Sequence, residues 1–165
     1  MPDIKIEIAA SAVLAAFNRL QQTAAAPGPV LAKVGDILAE KIRMGFHRSQ
    51  DPYGNAWHGL AVRQGKPLVD KGHLRNSITY RVVGNSVEIG TNRPFAAVHQ
   101  FGATIRPKPG GVLRFYVAGR PVFVKKGVSI PARPFLPSAK HGLPASWEQE
   151  VLAVIERAIA RQTQG

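Results

Sequence analysis

Residues 77–90, with the sequence SITYRVVGNSVEIG, decide the fold class of this 165-residue chain. Apolar side chains occupy every second position on either side of a Gly-Asn pair, at Ile78, Tyr80, Val82, Val87 and Ile89. This alternation predicts two strands that each bury one face. The intervening Gly84-Asn85 favours a two-residue hairpin turn. The segment therefore predicts an antiparallel hairpin.

Helical patterns flank this hairpin on both sides. Before it, apolar residues spaced three and four apart predict helices over residues 11–22 and 30–48, with the sequence Pro27-Gly28-Pro29 as a break between them. After it, a wide apolar face predicts a helix over residues 144–162. This order predicts an α+β fold: two N-terminal helices, a small antiparallel sheet with a protruding hairpin, and a C-terminal helix. We expect residues 1–165 to form a single domain.

Two segments interrupt this regular pattern. Residues 49–71 have no periodicity and predict a long loop, which in a compact domain is either functional or mobile. The loop opens with Asp51-Pro52-Tyr53-Gly54, a turn sequence in which Gly54 would let Trp57 point inward. Residues 107–126 predict an extended hairpin with strands over 113–117 and 122–126. Between the two segments, residues 94–101 predict one or two helical turns that stop at Gly102.

The charge balance points to polyanionic or acidic partners. The chain has 22 basic and 10 acidic residues, a formal net charge of +12. A positive charge of this size attracts phosphate backbones and acidic protein surfaces equally well. The sequence contains no cysteine, which excludes disulfides and thiolate metal sites. No segment reaches the roughly 18 apolar residues of a membrane span, so we expect a soluble chain made in the cytoplasm, without a membrane partner.

No sequence motif indicates catalysis, and we predict no catalytic, cofactor-binding or metal-binding residue. The five histidines have no second ligand at a spacing such as HExxH, and the GxSxG, Walker and GxGxxG patterns are missing. Hydrolysis by paired carboxylates needs two acids in one pocket, and only Asp51 and Asp70 lie in loops. The turn explains Asp51, and capping of the next segment explains Asp70. A nuclease with a dispersed site is the most distant alternative.

Positive charge on loops and hairpins is the main functional signal, because such segments protrude towards partners. The predicted interface or DNA-facing residues are Arg63, Lys66, Arg106, Lys108, Arg114, Arg120, Lys125, Lys126 and Arg133. Exposed aromatic rings could stack on bases. The strand pattern instead predicts a core position for most of Tyr80, Phe95, Phe101, Phe115, Tyr116 and Phe123.

Four segments in order resemble one protein family. They are residues 51–57 (DPYGNAW), 70–78 (DKGHLRNSI), 89–102 (IGTNRPFAAVHQFG) and 130–136 (IPARPFL). Together they resemble the phage virion morphogenesis family, which includes the tail-completion protein of P2-like phages and the related protein of Mu-like phages. The motif positions are Asp51, Pro52, Gly54, Trp57, Gly72, Leu74, His99, Gln100, Gly102, Pro131, Arg133, Pro134 and Phe135.

Several motif residues also have a physical interpretation. Gly72 would allow a bend before Leu74 starts the sheet. His99 and Gln100 are able to hydrogen-bond neighbouring backbone. Arg133 lies between prolines, where it could make a bidentate contact to a carboxylate. These residues either maintain the fold or contact a partner, and the sequence leaves both roles open.

The resemblance implies a structural role in completing the tail or building the neck of a tailed phage. Related proteins are α+β subunits that form rings, often hexamers, through which DNA passes. We therefore expect a virion protein assembled in the host cytoplasm, without a cofactor. Its expected partners are further copies of itself in a ring of six, other neck and tail proteins, and channel DNA contacted without sequence preference. The alternative is a stand-alone basic nucleic-acid-binding protein.

Overall fold

A computed structural model of the chain describes residues 4–6, 11–22, 27–61, 64–117 and 119–163. Its elements confirm the predicted α+β class. In chain order they are β1 (Ile4–Ile6), α1 (Ser11–Gln22), α2 (Pro27–Arg48), α3 (His73–Asn76), β2 (Thr79–Val83), β3 (Ser86–Thr91), α4 (Ala96–Phe101), β4 (Ala103–Ile105), β5 (Leu113–Val117), β6 (Arg120–Val124), β7 (Val128–Ile130) and α5 (Ala145–Thr163).

The predicted hairpin is present and forms two strands of a three-stranded antiparallel sheet. Strands β2 and β3 pair along their length, and Val83 lies opposite Ser86, which leaves Gly84-Asn85 as the turn. Gly84 has a φ of +56°, as the first central residue of such a turn requires. The predicted buried face of β2 does not extend to Val82, whose side chain is exposed.

The third strand of the sheet is not predicted from the sequence. Strand β1 pairs with β3, with Ile4 opposite Thr91 and Ile6 opposite Ile89. A strand of three residues is shorter than the run of at least four that makes an alternating pattern recognisable. The sheet order is therefore β1-β3-β2, with the predicted hairpin at one side.

Helix α2 is the central element of the core. It packs on β2, β3 and α5, while α1 packs on α5. Its buried residues are Leu31, Val34, Gly35, Leu38, Ala39, Ile42 and Phe46. The helix begins at Pro27, ahead of the predicted start at residue 30. Proline is tolerated in the first helical turn, because its missing N–H would have no partner there.

The approach of α2 to the sheet requires a glycine at position 35. A Cβ atom there would lie 2.5 Å from Cγ of Tyr80. Alanine improves helix propensity by about 1 kcal/mol, whereas overpacking of a core costs about 1–3 kcal/mol. We therefore expect Gly35→Ala to lower the free energy of unfolding by about 1 kcal/mol, measured by denaturant titration.

Gly28→Ala is the matched control for this prediction. Gly28 lies in the first turn of the same helix, and no described atom beyond the adjacent backbone of that helix would lie within 4 Å of its added Cβ. This variant should be as stable as the wild type or more stable. A Gly35→Ala variant that gains stability would contradict the steric account.

Residues 103–130 form a long two-part hairpin, which we call the arm. Strands β4 and β7 pair at its base, and β5 and β6 pair beyond them. The return strand predicted over 122–126 instead begins at Arg120 and ends at Val124. It includes Pro121, which is tolerated because each strand of a two-stranded ribbon is an edge strand. The short strands β4 and β7 are not predicted from the sequence.

One short helix differs from its predicted start, and another is not predicted from the sequence. Helix α4 begins at Ala96 instead of Pro94, and it ends as predicted before Gly102, which has a φ of +73°. Leu74 does not start the sheet. It is buried within helix α3, and the first strand after it begins at Thr79.

Candidate functional site

The Asp51 turn is a closed hydrogen-bonded unit. Oδ1 of Asp51 accepts bonds from the backbone N–H groups of Tyr53, at 2.9 Å, and Asn55, at 2.8 Å. Its Oδ2 accepts a third bond from Nδ2 of Asn55 at 2.8 Å, and Gly54 has a φ of +90°. All of these bonds are local, so the carboxylate of Asp51 holds the turn together.

Trp57 connects this turn to residues 131–137 (PARPFLP), which we call the proline-rich segment. Its indole is buried, and Nε1 donates to the carbonyl of Pro134 at 2.8 Å. Phe46 of α2 contacts the Trp57 ring edge-on, with 5.4 Å between centroids, and lies 5.5 Å from the ring of Phe135. The predicted inward position of Trp57 is confirmed by this aromatic cluster.

Gln100 binds the same proline-rich segment from helix α4. Its Oε1 accepts from the backbone N–H groups of Phe135, at 2.9 Å, and Leu136, at 3.0 Å. Its Nε2 donates to the carbonyl of Leu136 at 3.0 Å. The predicted contact of Gln100 with the backbone is therefore confirmed. A Cβ at Gly102 would lie 2.9 Å from the backbone nitrogen of Ala132, so the two segments also meet closely there.

Arg133 is buried and bonded within the chain. Only 7% of the residue is exposed, and its guanidinium donates from Nε to the carbonyl of His58 and from Nη2 to that of Gly59, both at 2.8 Å. These two carbonyls take the place of the expected carboxylate. Arg133 thereby fixes residues of the long loop, and it is not part of an exposed basic surface.

A cavity of about 310 Å³ lies where these segments meet. Its walls include Asp70, His73, Phe95, His99 and Arg133. Nδ1 of His99 is buried and has no hydrogen-bond partner among the described residues, so the backbone contact expected of this side chain is not formed at that atom. Burial lowers the pKa of His99 below its ordinary 6.5, and the positive charge of Arg133 lowers it further.

This lowered pKa predicts that acid destabilises the fold through His99. Between the lowered pKa and 6.5, the folded chain binds fewer protons than the unfolded chain, so the free energy of unfolding decreases as the pH falls below 6.5. The contribution is fully present above that pH. We expect His99→Phe to lose less stability than the wild type between pH 7.5 and pH 5.5 in denaturant titrations. The exposed His47 supplies the control, since His47→Phe should retain the wild-type decrease.

The predicted basic residues separate into two groups. Lys66 is also exposed, but it donates to the carbonyl of His47 at 2.8 Å, so its ammonium is bonded to the body of the fold, as is the buried Arg133. Arg63 lies outside the described residues. The other six are exposed and lie on the arm, at Arg106, Lys108, Arg114, Arg120, Lys125 and Lys126.

Exposed aromatic rings accompany these arm charges, contrary to the predicted core positions. Tyr116 is 62% and Phe123 59% exposed. The Arg114 guanidinium carbon lies 5.4 Å from the Tyr116 ring centroid and 5.9 Å from that of Phe123, and its Nη2 donates to the Tyr116 hydroxyl at 2.6 Å. Phe95 and Phe101 of the α4 region are exposed as well. Strand alternation predicts a buried face only where a second layer covers the strand.

The described part of the chain contains no group of three His, Cys, Asp or Glu residues placed to hold a metal ion. Within the same residues, no helix is both long and apolar enough to cross a bilayer.

Comparison with known proteins agrees with the four-segment resemblance. The sequence model of the phage virion morphogenesis family matches residues 8–160. The Mu-like prophage FluMu G protein 2 of Haemophilus influenzae is 37% identical over 134 residues, which cover 81% of this chain and 83% of that protein. No solved structure matches significantly.

Proposed function

This chain belongs to the phage virion morphogenesis family, and from that membership we propose that it is a structural subunit at the head–tail junction of a tailed phage. Its role lies in building the phage particle. At that junction, the subunit completes the tail, terminates it or forms part of the neck. The observation that carries this proposal is the family match over residues 8–160, which spans nearly the whole fold.

The motif residues form hydrogen bonds within the chain, which supports a role without catalysis. Asp51 is bonded in its turn, Gln100 holds the proline-rich segment, and Arg133 holds the long loop. These motif residues thus hold the fold together, which leaves other surfaces for partners. A ring is built from identical subunits that contact one another through such surfaces.

We propose that six copies form a ring that conducts DNA and binds other neck and tail proteins. Repetition of one basic subunit around an axis multiplies its field. The stretch from residue 89 to residue 147 supports both kinds of contact, because it contains nine basic residues and no acidic residue: the six on the arm suit an acidic neck or tail protein, and the exposed ones off the arm remain for DNA. Contacts of that field with DNA would be independent of sequence.

Oligomeric state tests this proposal most simply. The full chain is purified and studied by native mass spectrometry over a wide concentration range, alone and with tail proteins of the same phage. We expect a closed ring of six copies, alone or once a tail protein is added. A monomer under every condition would contradict the ring.

A stand-alone nucleic-acid-binding protein is the second candidate. The exposed Arg114, Tyr116 and Phe123 favour it, because cations beside exposed rings are typical of surfaces that bind single strands. Nanomolar binding to short free DNA at physiological salt, by a chain that stays monomeric, would support this alternative over the ring.

A further inference from the structure

Among the described elements, none forms a layer beneath the outer part of the arm. Strands β5 and β6 pack on each other, and no other element of the described chain makes more than marginal contact with them. An isolated two-stranded hairpin is at best marginally stable in water. The outer arm is therefore built to be completed by something it binds.

Apolar groups occupy both faces of this hairpin. One face carries Tyr116, Pro121 and Phe123, all exposed, together with Arg114. The other face carries the exposed Arg120 and five apolar residues that are only half-buried: Leu113, Phe115, Val117, Val122 and Val124. Exposed apolar patches that are contiguous and flanked by charge mark protein interaction sites.

The charge of the arm specifies an acidic partner. The arm has six basic residues and no acidic one. Its partner must therefore supply carboxylates around an apolar centre, which is the usual arrangement of an interface with a polar rim.

A second copy of this chain does not match that requirement. Each copy carries a net charge of +12. Its glutamates are largely paired with its own cations, in the pairs Glu40–Arg43, Glu88–Arg81, Glu150–Lys41 and Glu156–Arg19. Docking of the arm on another copy would bring like charges together, which suppresses association.

Duplex DNA matches only half of the surface. Its phosphates would satisfy the arm's cations, but its bases are stacked inside the helix. Burying both Tyr116 and Phe123 would require their insertion between base steps, which costs a few kcal/mol per step in lost stacking. A protein with acidic and apolar groups covers the rings and neutralises the cations together.

We propose that the arm face formed by Arg114, Tyr116, Pro121 and Phe123 docks onto an acidic surface of a different virion protein. The identification of that partner as a virion protein rests on the proposed function. The aromatic rings insert at the centre of the contact with Arg114 beside them, while Arg120, opposite Val117, lies on the other face of the hairpin.

Site-specific photo-crosslinking tests this contact. A benzophenone amino acid replaces Tyr116 in the full chain, which is supplied in trans during phage production, and purified particles are irradiated. We expect an adduct with a different virion protein, at a segment rich in Asp and Glu. The same probe at Leu14, an exposed residue of α1, should not give that adduct.

A pair of charge reversals provides the matched control. Arg114→Glu and Lys140→Glu change the net charge equally, but Lys140 lies off the arm. Because anchor residues dominate interface energetics, we expect Arg114→Glu to reduce the yield of the residue-116 adduct by about tenfold or more. Lys140→Glu should retain it.

Three outcomes would overturn the docking proposal: an adduct with another copy of this chain, an adduct with DNA, or no adduct in particles that contain the chain. Absence of the chain from purified particles would instead contradict the proposed function, so the two failures are distinguishable.

Discussion

Gln100→Ala is expected to destabilise the fold by about 3 kcal/mol or more. The substitution removes the partners of two backbone N–H groups and one carbonyl at residues 135–136. Each buried group left without a partner costs about 1–3 kcal/mol, and Gln100 is only 4% exposed, so water cannot replace the side chain easily. Such a loss is a large part of the roughly 5–15 kcal/mol that stabilises an ordinary domain.

Two further variants separate hydrogen bonding from packing at this position. Gln100→Met keeps the length of the side chain without its amide, and it should be nearly as unstable as Gln100→Ala. Gln21→Ala removes an exposed glutamine from α1 and should stay within about 0.5 kcal/mol of the wild type. Wild-type stability in Gln100→Met would contradict the hydrogen-bond account, because packing alone would then explain the site.

Trp57→Ala is the second large expected effect, with a loss of about 3–5 kcal/mol. It removes the ring that packs on Phe46 and leaves the carbonyl of Pro134 without its indole donor. Because Trp57 anchors the start of the long loop, we also expect faster proteolytic cleavage within residues 58–71. Denaturant titration measures the first effect, and limited proteolysis measures the second.

Trp57→Phe and Tyr116→Ala are the controls for this prediction. Phenylalanine retains a ring beside Phe46 but donates no hydrogen bond, so it should cost less than alanine. Tyr116→Ala removes an aromatic ring that is exposed on the arm, and it should leave stability within about 0.5 kcal/mol of the wild type. Equal losses in Trp57→Ala and Tyr116→Ala would contradict the assignment of Trp57 to the core.

Local sequence patterns predicted the elements that have enough residues to show a period. Helix α1 and the β2–β3 hairpin follow from apolar spacing and from the Gly84-Asn85 turn. The predicted C-terminal helix differs from the observed α5 by one residue at each end. The strands β1, β4 and β7 have three residues each, which is too short to show an alternating pattern. They form through pairing with strands that are distant in sequence.

The candidate site was only partly predictable, for a physical reason. The four segments were identified through resemblance, but their convergence depends on tertiary contacts such as those of Gln100 and Arg133 with distant backbone. Exposure of Tyr116 and Phe123 could not be inferred from alternation, because alternation does not show whether a second layer covers the strand. The sequence did contain one indication of this exposure. In residues 113–126, basic and aromatic residues lie two positions apart, as Arg114 and Tyr116 do, and therefore share a face of the strand.

Electron microscopy of particles made without this chain is the most direct test of a structural role at the head–tail junction. An amber mutation in its gene is introduced into the phage that encodes it, and lysates from suppressing and non-suppressing hosts are compared. We expect separate heads and tails in the non-suppressing host, and infectious joined particles when the wild-type chain is supplied in trans. Joined particles of normal infectivity formed without the chain would contradict a structural role at the head–tail junction.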